Sequence, residues 1–480
     1  MKIVLNRNME MKKLKYTKLY AKIGLIALCI LVLIIIPLLR GGIQLGHDPY
    51  LFIRNAKHLS AYDPLSYGGR FNAHFLGIAT ILSLSPKALS YILPFLIGLI
   101  SLMLFYQILK ENNLHEKKLI VLLLIISPSF IFLFSTLNKF FFSVFLCLLG
   151  YWLLMHKNKI YRYLSLLVFL ILPIFNSKMA IIMGILLIYS ILNKKDKGFI
   201  LASIIVLFSS TILFNGYIFY NSHSFNFFFD LKKLTFHGRL ENLFTDLGSR
   251  YGLSIFASIL AIFGIIPLWK KKYKNLFLFF SVLTLIIFSF FFSEAIFLIN
   301  LFIAIFAAKG ILYLYQKVWE NEVLKKLTIF IFICGLIFSC LSFLNERIKD
   351  EPTSQTINAL DFLSNKDFGT VFSHYNRGIW INYAGKANIM DTNYLFAPDP
   401  KNALNDSQEL FMTRDIEKAK NIIDKYKIKY IFLDQDLNHE IWQHDEEGLQ
   451  FILKYNPNFK KIYNQGGIKI WKIKGLNKKG

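Results

Sequence analysis

The sequence predicts a polytopic α-helical membrane protein of about eleven transmembrane helices with a C-terminal α/β domain outside the membrane. Three observations carry this prediction. Hydrophobic residues make up 55% of the 480, and 48 are Phe, more hydrocarbon than a soluble chain can hide. Apolar stretches near the ~20 residues that cross a bilayer recur through the first 344 positions. The charge is also unevenly spread. Residues 1–344 hold 35 basic and 12 acidic side chains, whereas residues 345–480 hold 20 and 18, so the net +25 sits almost wholly among apolar segments. There it reports topology, and no nucleic-acid partner is expected.

The eleven stretches are roughly 19–39, 88–109, 119–135, 140–155, 162–175, 178–192, 198–219, 252–269, 275–292, 295–313 and 327–344. The first follows a basic segment but is long for a signal peptide and lacks a small-residue cleavage site. It reads as an uncleaved anchor. Breaks at Asn138–Lys139 and at Asn176–Lys178 separate stretches that, merged, would much exceed bilayer thickness. With the N-terminus in the cytoplasm, 24 of the 35 basic residues fall inside, starting with the seven from Lys2 to Lys22. That obeys the positive-inside rule, and eleven crossings place the tail outside. The first domain is therefore 1–344, with long outer loops at about 40–87 and 220–251. Within the first loop, Phe71 to Leu84 is apolar but too short to span, which suits the membrane interface. Cys29, Cys147, Cys334 and Cys340 lie in apolar stretches and read as buried free thiols.

The second domain, 345–480, alternates helix and strand signals. TINALDFL has helical periodicity, GTVFSH and KYIFLD read as strands, and RGIWINYAG reads as a mixed helix. Two helical stretches run through 402–426 and another lies near 447–455. FKKIYNQ and IKIWKIK form a strand pair joined at Gly466–Gly467. No dinucleotide or Walker fingerprint occurs, so a nucleotide-sugar donor has no support in the tail.

The first outer loop concentrates His47, Asp48, Arg54, Lys57, His58, Asp63, Arg70 and His74 beside the membrane. A carboxylate among apolar walls suits general-base work, and the guanidinium groups of Arg54 and Arg70 suit an anionic phosphate leaving group. Asp48 followed by Pro49 is equally a helix start, with Asp48 as N-cap and an amphipathic helix from Pro49 to Leu59. His47, His58, Asp63 and His74 have no recognised metal-ligand spacing. Arg239, Arg250 and His237 in the second outer loop suit a solvated loop better than a ligand site.

The segment GHDPYLFIRNAKHL, directly after a first span, resembles the first outer loop of GT-C superfamily membrane glycosyltransferases. The likeness is greatest to the catalytic subunit of archaeal and eukaryotic oligosaccharyltransferases and to uncharacterised archaeal relatives. SYGGRFNAHFLG, SPSFIFLFSTLNKFF, GLSIFASILAIFGIIPLW and LINLFIAIFAAKGILYL resemble further segments of that family. SHYNRGIWINYAGKANIMDTN is similar to its tryptophan-rich tail motif. The resemblance implies a GT-C-like fold, with Asp48 as the catalytic residue at the acceptor and metal site.

Three departures stand beside it. The turn that carries a second acidic pair in the family reads Thr136-Leu137-Asn138-Lys139. The tail motif reads His374-Tyr375-Asn376-Arg377 in place of two Trp and an Asp. A late span begins with Glu294 in place of an Arg. A divalent metal (Mg or Mn), with Asp48 as a ligand, is thus implied by the resemblance and opposed by the missing acidic pair. Lys139 offers a positive charge in the metal's stead, or is an ordinary solvated lysine. Glu294 is either a terminal residue reaching for water or a second carboxylate facing a cavity. Trp380, Tyr383 and Asn393 are acceptor-groove candidates, with packing the simpler role, and Asp434 ends a strand.

The expected function is transfer of a sugar or oligosaccharide from a polyprenyl (dolichyl-type) phosphate donor to a protein or glycan acceptor at the outer face of the lipid bilayer. Arg54, Arg70 and Lys139 would contact the phosphate. The alternatives are a lipid-linked saccharide flippase or another transporter, and a non-catalytic scaffold of the same fold.

Overall fold

The computed structural model describes residues 23–191, 197–222, 243–270, 272–393, 396–434, 437, 441–442, 444 and 446–474. Lys2 to Lys22, His237, Arg239 and most of the second outer loop lie outside the described residues. The described helices begin with α1 (Ile23–Leu39), α2 (Asp48–Lys57), α3 (Ile78–Leu82), α4 (Pro86–Glu111), α5 (Lys117–Ile125) and α6 (Pro128–Ser135). Next come α7 (Phe141–Met155), α8 (Lys159–Phe175), α9 (Ser177–Ser190), α10 (Lys197–Ser222), α11 (Ile255–Trp269) and α12 (Leu276–Ser289). Then follow α13 (Ser293–Gln316), α14 (Glu322–Lys349), α15 (Ser354–Ser364), α16 (Gly378–Tyr383), α17 (Pro400–Met412), α18 (Ile416–Lys425) and α19 (Gly448–Tyr455). Contacts divide the chain into two compact units. The first draws on Met1–Gly42, Ser90–Phe214 and Lys233–Lys349, and the second on Ile43–Leu89, Asn215–Lys232 and Asp350–Gly480.

The first unit is helical, and each of the eleven apolar stretches contains helix. Among the described residues, α4, α10, α13 and α14 are long and apolar enough to cross a membrane, and α5 with α6 makes a fifth if counted as one span. That pair is bent by 66°, where the sequence predicted one continuous stretch. Pro128 has no N–H to continue α5 and forces Ser127 into an extended conformation (ψ 134°). The Asn300 amide donates to the Ser127 hydroxyl at 2.8 Å and pins the break to α13.

Two asparagines make the other breaks. The Asn138 amide donates to the carbonyls of Leu133 and Thr136, both at 2.9 Å, and to that of Phe132 at 3.3 Å. Its oxygen accepts from the N–H groups of Phe140 and Phe141, so one side chain closes α6 and opens α7. Asn176 accepts from the Met179 N–H at the start of α9. Close packing of α11 on α13 depends on glycine: a Cβ at Gly264 would lie 1.9 Å from the Phe306 carbonyl oxygen, and one at Gly310 1.9 Å from that of Leu260. Cys29, Cys147 and Cys340 are buried as expected. Cys334 is exposed, because its position on α14 faces outward.

The second unit is built on a five-stranded sheet of β3 (Thr370–Phe372), β4 (Ala387–Asn388), β5 (Ile428–Leu433), β6 (Phe459–Gln465) and β7 (Ile468–Ile473). A hairpin of β1 (Tyr62–Asp63) and β2 (Arg70–Phe71) precedes it in the chain. The sheet order is β4-β3-β5-β7-β6, with β4, β3 and β5 parallel and β7 antiparallel to both of its neighbours. Gly466 and Gly467 turn the β6–β7 hairpin at positive φ, 59° and 76°, where a side chain would be strained.

Leu410, Ile422, Leu449 and Ile452, from α17, α18 and α19, fill one apolar layer with Phe372, Ile431 and Leu433. The other layer joins Leu360 and Trp380 from α15 and α16 to Tyr430 and Phe432. Tyr50 and Leu51 of α2 belong to this second layer, so the loop that carries α2 packs into the core of the tail domain.

Candidate active site

Asp48 is the first residue of α2 and is half-buried. The helix runs from Asp48 to Lys57, with His47 as its N-cap and no side-chain capping bond. The expected N-cap role for Asp48 is therefore corrected: the helix starts one residue earlier, and Pro49 occupies the first turn. Negative charge in that turn complements the positive end of the helix dipole.

The residues before Asp48 are held by the tail. The Trp380 indole N–H donates to the Gly46 carbonyl at 3.1 Å, and the Gly46 N–H donates to the Glu351 carbonyl at 2.9 Å. His47 stacks on Trp380 with ring centroids 4.6 Å apart, and its Nε2 is 2.5 Å from the Asn376 carbonyl oxygen. Trp380 is thus a core residue, 1% exposed, that carries the loop. Beneath it, Arg377 meets Glu351 through Nη1–Oε2 at 2.7 Å and pairs through Nε with Asp434. Asp434 also accepts the Leu437 N–H at 2.9 Å, so this strand-end carboxylate holds both Leu437 and Arg377. Burial pushes the His374 imidazole down to about 4; the nearby Arg377 charge pushes the same way, and Asp434 partly opposes both.

The two loop arginines sit in a second ionic network. Arg54 pairs with Asp63. Arg70 grips Asp391 with two parallel bonds, Nη2–Oδ2 at 2.6 Å and Nη1–Oδ1 at 3.0 Å, and donates to the Asn393 carbonyl at 2.8 Å. Ser66 and Tyr67 add hydrogen bonds to Asp391, and Ser66 bridges Asn388 in parallel, covering the β4 edge. Asp391 lies in the MDTN segment of the tail, but its pairing with Arg70 spans 321 residues and left no local signal. Tyr383 packs edge-on against Tyr50, and Lys57 lies over its ring.

Two expected residues lie in the helical unit. Lys139 is exposed, with its ammonium 5.2 Å from the centroid of the Phe140 ring. Glu294 opens α13 and is 5% exposed. Its carboxylate accepts from the Asn176 amide at 3.3 Å, so it supports the residue that caps α9 instead of reaching for water. Arg250 is exposed.

Among the described residues, no three His, Cys, Asp or Glu side chains come together as a possible metal-binding group. Asp63 is committed to Arg54, His47 to Asn376, and His74 packs edge-on to Phe52 and Phe396. The described donor set therefore does not fit a divalent ion.

No family model and no curated relative matches the chain. Solved structures do. The oligosaccharyltransferase of Archaeoglobus fulgidus tethered to an acceptor peptide superposes with a TM-score of 0.62 at 13% identity, covering 95% of this chain and 75% of that one. The fold is that of an archaeal oligosaccharyltransferase. The same organism's oligosaccharyltransferase AglB, with an inhibitory peptide and a dolichol-phosphate, gives 0.60 at 11% identity over 93% and 74%. A third structure from that organism, an oligosaccharyltransferase with Zn and sulfate, gives 0.54 at 13% identity over 94% and 74%. The oligosaccharyltransferase likeness noted in the sequence is therefore a likeness of the whole fold.

Proposed function

We propose that the protein is a multi-pass membrane glycosyltransferase moving a sugar or oligosaccharide from a polyprenyl-phosphate-linked donor to an extracytoplasmic protein or glycan acceptor. Its N-terminus would lie in the cytoplasm and its tail domain outside. The observation that carries this reading is the oligosaccharyltransferase fold over 95% of the chain, with the Asp48 carboxylate at the start of α2.

In the reaction, the acceptor nucleophile attacks the anomeric carbon as its bond to the lipid phosphate oxygen breaks. The bonding pair leaves with the phosphate, the anomeric centre inverts, and Asp48 takes or orients the acceptor proton. Lys139 and Glu294 enter the proposal as contacts for the donor lipid and its saccharide. Arg54 and Arg70 shape the loop through Asp63 and Asp391, and contact the phosphate only with groups those pairs leave open.

The test is Asp48→Asn, read by mass spectrometry of surface glycans and lipid-linked saccharides in cells with and without the protein. Loss of at least ~100-fold in transfer is expected for a positioned base. Undiminished transfer would remove Asp48 from the mechanism. The engagement of both arginines favours one alternative, a non-catalytic scaffold. Absence of transfer by the unaltered protein would favour that reading instead.

A further inference from the structure

The tail domain holds a cavity of about 250 Å³ far along the chain from Asp48, between α19 and the β6–β7 hairpin. Register explains its chemistry. Lys461 pairs with Trp471 across β6 and β7, and Lys469 pairs with Leu433 across β7 and β5. Positions 469 and 471 point to one face, so two lysines, the indole and Leu433 share a single side of the sheet. Helix α19 covers that side and contributes Gln450, Leu453 and Lys454, spaced i, i+3 and i+4 on one helix face. The result has an apolar floor, three ammonium groups and, among the described lining residues, no carboxylate.

The charges are available in different degrees. Lys454 pairs with Glu446 at 2.6 Å. Among the described residues, no ion pair involves Lys461 or Lys469; Lys461 lies over the Trp471 ring, 5.1 Å from its centroid. The Trp471 indole N–H is buried and, among the described residues, has no hydrogen-bond partner. A buried donor without an acceptor is costly, and such groups in folded proteins call for an explanation. Here the indole ring, three lysines and an amide line one small cavity.

We propose that this cavity binds an oxyanion carried on a single sugar unit, a carboxylated or phosphorylated saccharide. The oxyanion follows from the lysines, two of which have no ion pair among the described residues. The sugar follows from the polar donors and from a volume just below the ~300–1,000 Å³ of drug-sized ligand sites, and it rests on the glycosyltransferase reading above. The pocket would then recognise acidic residues in the glycan being transferred or extended.

The experiment is ligand-observed NMR titration of the full chain in detergent with glucuronate, glucose 1-phosphate, glucose, inorganic phosphate and a short poly-glutamate peptide. Both anionic sugars are expected to bind at ~1–10 mM, a range such weak sites occupy, and to weaken as salt rises. Lys461→Gln with Lys469→Gln is expected to lower affinity at least ~10-fold, equivalent to ~1.4 kcal/mol. Circular dichroism confirms that each variant is folded; both lysines are at least partly exposed, which favours this.

The proposal is overturned if the anionic sugars fail to bind, if glucose or inorganic phosphate binds as tightly, or if the double variant binds unchanged. Tighter binding of the peptide would also overturn it, making the cavity a site for acidic protein segments. Asp48→Asn is expected to retain sugar binding, so failure of the catalytic reading and failure of this one are distinguishable.

Discussion

Replacing Arg70 by Ala tests whether the first outer loop is held by its ion pair with the tail. Arg70 meets both oxygens of Asp391, and the two side chains are 4% and 0% exposed. The substitution leaves a carboxylate in the interior, where the Ser66 hydroxyl and the Asn393 N–H still reach it at 2.9 and 2.8 Å. Removing one partner of a buried ion pair costs about 3–5 kcal/mol, and these surviving bonds favour the lower end. A unit of roughly 200 residues loses about 2–4 °C in melting temperature per kcal/mol, which gives a drop of about 6–20 °C. The assay is thermal unfolding of the detergent-solubilised protein followed by intrinsic fluorescence. Arg70→Met with Asp391→Leu removes both charges and is expected to recover most of the loss. A drop under ~2 °C for Arg70→Ala would refute the reasoning. Lost transfer with unchanged melting would return Arg70 to the lipid phosphate.

Two further predictions follow from the site and its supports. Asn138→Asp keeps the acceptor for the Phe140 and Phe141 N–H groups but replaces three amide donations with a charge facing the carbonyls of Phe132, Leu133 and Thr136. A loss of about 2–3 kcal/mol is expected by the same melting assay, and equal stability would show that the amide donations do not matter. His374, held down to about 4, stabilises the tail while neutral. Its folded value lies below the ~6.5 of an unfolded chain. The contribution is therefore complete above pH ~6.5 and lost as pH falls toward 4. It amounts to about 1–2 kcal/mol after allowance for solvent screening. Melting temperatures of His374→Gln should vary less with pH across that window than those of the unaltered chain, and identical slopes would exclude His374.

What was legible in the sequence depended on how locally each feature was encoded. The apolar helices were visible because hydrophobicity runs along the chain, and the Asn138 and Asn176 breaks because a polar pair interrupts it. The strands at KYIFLD, FKKIYNQ and IKIWKIK carried their own alternation and glycine turn. Strand β4 did not: two residues long, Ala387–Asn388 exists through pairing with β3 and the Ser66 bridge. The bend at Ser127–Pro128 had a local signal in the proline, which the hydropathy of 119–135 concealed. Least legible were the partners of the charged groups. Arg54, Arg70 and Asp63 were conspicuous as residue types in a membrane-side loop. Only the fold reveals that Asp391 lies against Arg70, and that Glu351 and Asp434 lie against Arg377.

Those pairings change what the departures from the oligosaccharyltransferase pattern mean. In the tail motif, Arg377 is engaged by two carboxylates and Asn376 presents a carbonyl to His47. These residues work on the protein's own loop, through Trp380 and Gly46, up to the residue before Asp48. In the turn at Thr136–Lys139, Asn138 uses both ends of its amide to join two helices. A carboxylate there could not make those donations. Arg377 and Asn138 thus serve the protein's own structure, and Asp48 stands at a helix start held by the tail. The contacts at Gly46 and His47 thus fix where the Asp48 helix begins.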